Sequence, residues 1–128
     1  MPGLKHLHRG FTLIELLVVL AIVAVLLTLS LPRYFQHAQV ARERVLVENL
    51  HVTRDAIDKF YADRNRYPDS LDELIDKRYL KARPIDPILE RNDAWLIDEP
   101  PQGKKGRVFD LHSTAPGTAV DGQPFSGL

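Results

Sequence analysis

FTLIELLVVLAIVAVLLTLSL, Phe11 to Leu31, is the stretch on which the fold turns. Its 21 residues carry a single charge, Glu15. At about 1.5 Å of rise per residue such a helix is roughly 32 Å long, the thickness of a bilayer's hydrocarbon core. Roughly ninety residues remain for a globular part, near the lower end of what folds on one core. A part that small cannot bury such a helix on every side. A secretory signal peptide is the competing reading, with cleavage at small residues beyond the apolar run. This run is longer than a usual signal core, carries an acid near its start, and is followed by residues that continue as helix.

Glu15 is the most informative residue. A charged side chain in a membrane helix costs about 2.5–3.5 kcal/mol on insertion scales. The helix dipole returns only about 0.3–1 kcal/mol to a carboxylate near the amino terminus. Upstream lies MPGLKHLHRG, residues 1–10, short and basic and ending on glycine. A cut between Gly10 and Phe11 would create an α-amino group one helical turn before Glu15, and that ammonium is a natural partner. The other reading leaves Glu15 in the headgroup zone with no partner. Position alone keeps both open.

Beyond Pro32 the apolar pattern becomes one-sided. Leu46, Leu50, Thr53, Ile57 and Phe60 form a narrow helical stripe, with Tyr61 beside them. Arg42, Arg44, Glu48, Arg54, Asp55 and Lys59 lie opposite and read as a solvated face. One helix from about Phe11 to Asp63 is expected, ended before Tyr67-Pro68. Asp69 or Ser70 caps a second short helix, with Asp72 and Glu73 in its first turn and Leu71, Leu74, Ile75 and Tyr79 on its buried face. Asp69, Asp72, Glu73 and Asp76 read as an exposed acidic face. Arg83 to Pro87 is a loop. Asp93 to Ile97 and Arg107 to His112 read as strands joined through Pro100, Pro101, Gly103 and Gly106. Two antiparallel strands need a helix to pack on. Thr114 to Leu128 reads as an ordered loop or a flexible end, and Trp95 as a strand core residue. The fold class is α+β.

Lys plus Arg and Asp plus Glu each number 17, for a formal net charge of zero. Without Lys5 and Arg9 the balance is slightly acidic, so no nucleic-acid partner is expected. There is no cysteine, which excludes disulfides and thiolate metal sites. The five histidines show no paired metal-ligand spacing. No nucleophile elbow, phosphate-cradling glycine loop or zinc-protease motif occurs, so no catalytic residues are expected.

Arg9 to Pro32, RGFTLIELLVVLAIVAVLLTLSLP, resembles the leader and helix of type IV pilins and type II secretion pseudopilins. The second half is similar to the major type II secretion pseudopilin: Tyr61 to Pro68, then Leu71 and Leu74, Tyr79-Leu80-Lys81 with Pro84, Asp86 and Pro87, Phe109-Asp110-Leu111 with Ser113, and Asp121-Gly122. Ile88 departs from that pattern, standing where tryptophan is usual. The absence of a carboxy-terminal cysteine pair favours pseudopilin over pilin.

The resemblance implies a prepilin leader over residues 1–10, a transmembrane and filament-core helix over 11–32, and a periplasmic head over 33–128 that includes the amphipathic half of the long helix. It implies cleavage after Gly10 and N-methylation of Phe11 by a prepilin peptidase. It also implies Glu15 pairing with a Phe11 amine within the filament, and a helix softened at Pro32. The expected partners are copies of the chain itself, other pseudopilins, the peptidase, an inner-membrane assembly platform and the lipid bilayer. The expected place is the bacterial inner membrane, single pass, with the head in the periplasm. The expected role is a structural subunit of the pseudopilus that helps export folded proteins, and not an enzyme. The rival readings are a minor pilin or pseudopilin that primes or caps a filament, and a single-span sensor or enzyme. Major pseudopilins hold calcium in the last loop. Here the ligands would be the Leu111 carbonyl, Ser113 and Asp121, a thin set for an ion that takes six to eight oxygens. Asp110 is expected to face away from it.

Overall fold

The computed structural model describes residues 10–128. The expected leader, Gly10 apart, lies outside the described residues. Two compact units result, Met1–His37 and Ala38–Leu128. Helix α1, Leu13–Arg64, is 52 residues long and includes Pro32. Proline offers no N–H to the carbonyl four residues back, here that of Thr28. The hydroxyls of Thr28 and Ser30 bond back to the Ala24 and Leu26 carbonyls at 2.8 and 2.9 Å. At its other end α1 stops at Asn65, which takes a left-handed backbone (φ 55°). Asparagine tolerates that conformation and so serves in place of a terminating glycine.

In the first unit every residue from Phe11 to Leu31 is exposed. Such a continuous apolar surface far exceeds what a water-soluble monomer presents. The segment is long and apolar enough to cross a membrane.

In the second unit the expected stripe is the core. Leu46, Leu50, Thr53, Ile57 and Phe60 are all buried, joined by Ala56. Helix α2, Leu71–Asp76, begins at Ser70, whose hydroxyl accepts from the Glu73 N–H. Leu71 and Leu74 are buried, while Ile75 and Tyr79 are only half-buried. Strands β1, Trp95–Asp98, and β2, Asp110–Ser113, pair antiparallel, with Trp95 opposite Ser113 and Asp98 opposite Asp110. Both strands lie further along the chain than expected. The Arg107 and Val108 N–H groups donate to the Pro68 carbonyl instead, and the Tyr67 N–H donates to Lys105. Gly106 makes this approach: it has φ 105°, and a Cβ there would sit 2.2 Å from the Tyr67 carbonyl oxygen. The last segment is an ordered loop that closes the core with Ala115, Ala119 and Phe125. It carries a 3₁₀ turn at Phe125–Gly127.

Two of the charges expected on solvated faces are half-buried. Arg54 is half-buried, as described below. Glu73 takes a two-pronged bond from Arg66, Nη1 and Nη2 donating at 2.8 and 3.0 Å, and a third from the Asp69 N–H at 3.0 Å. The Arg66 guanidinium is the main cause that lowers the Glu73 carboxyl to about 2. A carboxyl held below its unfolded value adds stability that is present above its unfolded pKa of about 4.3. That stability is lost as pH falls through the folded value. After allowance for solvent screening it amounts to about 1–2 kcal/mol. Glu73→Gln is therefore expected to lower stability by about that amount at pH 7. Parent and variant should converge between pH 4.5 and 2. Denaturant unfolding of the detergent-solubilised chain across that range measures the difference.

Candidate functional site

Three sets of side chains have functional geometry. The first opens α1. The Thr12 hydroxyl accepts from the Glu15 N–H at 3.1 Å, and Glu15 Oε2 accepts from the Thr12 N–H at 3.4 Å. This reciprocal arrangement is a capping box. The T-x-x-E spacing from Thr12 to Glu15 is the sequence signal for it. Glu15 therefore has a local partner within its own chain, which neither reading of its sequence position included. Phe11 is 87% exposed. A Cβ on Gly10 would meet no described atom within 4 Å, so the described structure makes no demand for glycine there.

The second set surrounds Arg54. Its Nε donates to Asp110 Oδ1 at 2.7 Å, and its Nη2 donates to the Leu111 and Leu128 carbonyls at 3.0 and 2.8 Å. The guanidinium thus ties α1 to β2 and to the end of the last loop. Of the three residues expected to hold calcium, each has a different partner. The Leu111 carbonyl receives Arg54. The Ser113 hydroxyl donates to Asp86 Oδ2. Asp121 is exposed, and its Oδ1 accepts from the Gln123 N–H at 3.1 Å in a tight turn. This arrangement disfavours a calcium ion, because a dication at the Leu111 carbonyl would sit beside the Arg54 guanidinium. Asp86 is the buried residue that organises the neighbouring loop: Oδ1 accepts from the Ile88 and Leu89 N–H groups at 2.9 and 3.3 Å. Those two bonds are local, and only the bond from Ser113, 27 residues away, lies beyond the reach of sequence spacing. Trp95 packs against the core, and its Nε1 donates to the Pro84 carbonyl at 2.8 Å.

The third set lies across the sheet. His112 Nε2 stands 2.8 Å from Asp98 Oδ2 and 3.5 Å from Asp110 Oδ2. Histidine spacing alone hides this cluster, since two of its three members are carboxylates and one lies on the other strand.

A long helix with an exposed apolar start, followed by a small head with a two-stranded sheet, is the architecture of a pilin-like protein. The prokaryotic N-terminal methylation motif matches residues 5–31. The type II secretion system core protein G of Pectobacterium carotovorum subsp. carotovorum is 32% identical over 128 aligned positions, covering 89% of this chain and 82% of that protein. That of Aeromonas hydrophila is 30% identical over 112 residues, covering 85% and 76%. The type IV major pilin protein PilA of Myxococcus xanthus is 31% identical over 67 residues, covering 52% of this chain and 30% of that pilin. No solved structure matches the chain. The chain belongs to the type II secretion system core protein G family.

The Arg54 contacts carry a consequence for stability. Arg54→Gln removes the donors to one carboxylate oxygen and two carbonyls, and is expected to cost about 1–3 kcal/mol in denaturant unfolding of the full chain. Calcium is expected to leave the melting temperature of the parent unchanged. A large rise that disappears in Asp121→Ala would instead place the ion in the last loop.

Proposed function

We propose that the chain is a structural subunit of a type II secretion pseudopilus, polymerising through its amino-terminal helix to help drive export of folded proteins. It performs no chemistry of its own. The observation that carries this reading is the bare apolar surface from Phe11 to Leu31, which only a bilayer or a bundle of like helices can cover. In this reading residues 1–10 are the leader, 11–32 the membrane and filament-core helix, and 33–128 the periplasmic head. The anchor crosses the inner membrane once. The partners are further copies of the chain, other pseudopilins, the inner-membrane assembly platform and the prepilin peptidase. Pro32 loosens the helix between core and head.

Gly10 and Phe11 form the processing junction. In this reading glycine there serves the peptidase, which must accommodate the backbone. Glu15 then has two roles. Within the chain it completes the Thr12 capping box. Within the filament its carboxylate offsets the new Phe11 ammonium of a neighbouring copy. An ammonium and a carboxylate are of opposite charge and attract strongly where water is excluded. Breaking such a pair in an apolar bundle costs about 3–5 kcal/mol. Calcium at Leu111, Ser113 and Asp121 is a subordinate reading, and the melting experiment above tests it.

Mass spectrometry of chain from membranes with an active prepilin peptidase is expected to find a mature terminus at methylated Phe11. Replacing Gly10 with a bulky residue should leave uncut precursor. A terminus at Met1, or beyond Leu31, would overturn the processing. Glu15→Leu should insert and be cleaved normally but yield little pelletable filament. Glu15→Gln retains the capping acceptor and loses the charge, so its filament yield separates the two roles. Parental yield from Glu15→Gln would leave capping as the whole role, and a clear fall would establish the charge pair.

A further inference from the structure

Two carboxylates oppose each other across the sheet, since Asp98 and Asp110 are direct partners in the register. Like charges at opposed positions destabilise a strand pair. His112 lies two residues beyond Asp110, hence on the same face, while Leu111 and Ser113 point into the core. One ligand atom from each of Asp98, Asp110 and His112 lies within 4.8 Å of the others. Asp110 Oδ1 is already taken by Arg54 Nε and by the Leu111 N–H at 2.7 and 2.8 Å. Oδ2 is the oxygen turned to His112.

An imidazole N–H alone answers this arrangement poorly. It reaches Asp98 at 2.8 Å but stands 3.5 Å from Asp110 Oδ2, too far for a good hydrogen bond. Nδ1 of His112 is buried and has no hydrogen-bond partner among the described residues. Nε2 is thus the ring nitrogen turned to both carboxylates. A metal dication bound through the Nε2 lone pair would satisfy both at once.

We propose that Asp98, Asp110 and His112 form a site for a divalent transition ion of the zinc class. One imidazole nitrogen with two carboxylate oxygens is a zinc-type donor set. Calcium prefers oxygen donors alone. Three protein donors leave the remaining coordination to water, and Asp98, with its side chain 44% exposed, gives the ion a way in. Arg54 acts behind the site as a positioning residue, holding Asp110 so that Oδ2 faces the imidazole. The bound ion would lock β1 to β2 at the end where the two acids repel. The site is independent of filament assembly and stands or falls apart from it.

The test titrates the full chain, in detergent micelles, with Co²⁺ followed by visible absorption and with Zn²⁺ followed by calorimetry. One saturable Co²⁺ site is expected, displaced by Zn²⁺ and not by Ca²⁺. Asp98→Asn, at a half-exposed and isosteric position, should weaken binding more than about tenfold with the circular dichroism unchanged. His112→Ala should do the same, and Asp121→Ala should bind as the parent. No saturable Co²⁺ absorption would overturn the proposal. So would binding that survives both Asp98→Asn and His112→Ala, which would assign it to histidines elsewhere in the chain.

Discussion

The head is built against one face of α1, the stripe of Leu46, Leu50, Thr53, Ile57 and Phe60. Neither α2 nor a two-stranded sheet could stand alone. A helix of six residues is far below the length at which isolated helices persist, and two strands need a partner layer. The stripe supplies that layer. Leu71 and Leu74 from α2, Leu111 from β2 and Phe125 from the last loop complete the core around it. Thr53 is buried in the stripe without penalty because its hydroxyl donates to the Asn49 carbonyl at 2.7 Å.

The same helix meets two kinds of surroundings. A backbone that satisfies its own hydrogen bonds is indifferent to the medium, so side chains alone mark the change. Before Pro32 they are apolar on all sides apart from Glu15, Thr28 and Ser30, and beyond Ala38 they are apolar on one. Charges on the head are handled in pairs: Arg66 with Glu73, Arg54 with Asp110, and Arg83 with Asp72. Arginine recurs because its planar fork can serve a carboxylate and a carbonyl together.

Features set by spacing along the chain were legible in the sequence. The helical period gave α1 to within one or two residues, and the Ser70-to-Glu73 spacing gave the start of α2. Features set by contacts between distant residues were not. Arg107 and Val108 look like strand residues, yet their N–H groups go to Pro68, and alternation of side chains cannot say which carbonyl a backbone will find. Arg54 reads as solvated because it falls in the charged set placed opposite the stripe, while its partners lie 56 to 74 residues away. The Ser113 bond to Asp86 and the His112 bond to Asp98 likewise join residues 27 and 14 positions apart. The Thr12 capping box is different, a local signal carried by the T-x-x-E spacing itself.

The closing of the core by Phe125 bears on how the chain matures. The contacts that finish the head join residues far apart: Val120 donates to Glu43, 77 positions away, and Arg54 reaches Leu128, 74 positions away. Closing such long loops is slow and brings no reward until the last contact forms. During synthesis the amino-terminal anchor is available for insertion long before the segment with Phe125 leaves the ribosome. The Leu46 to Phe60 stripe therefore stays uncovered until that segment has been made. That interval, rather than the finished fold, is when the molecule is most open to wrong association and to proteolysis.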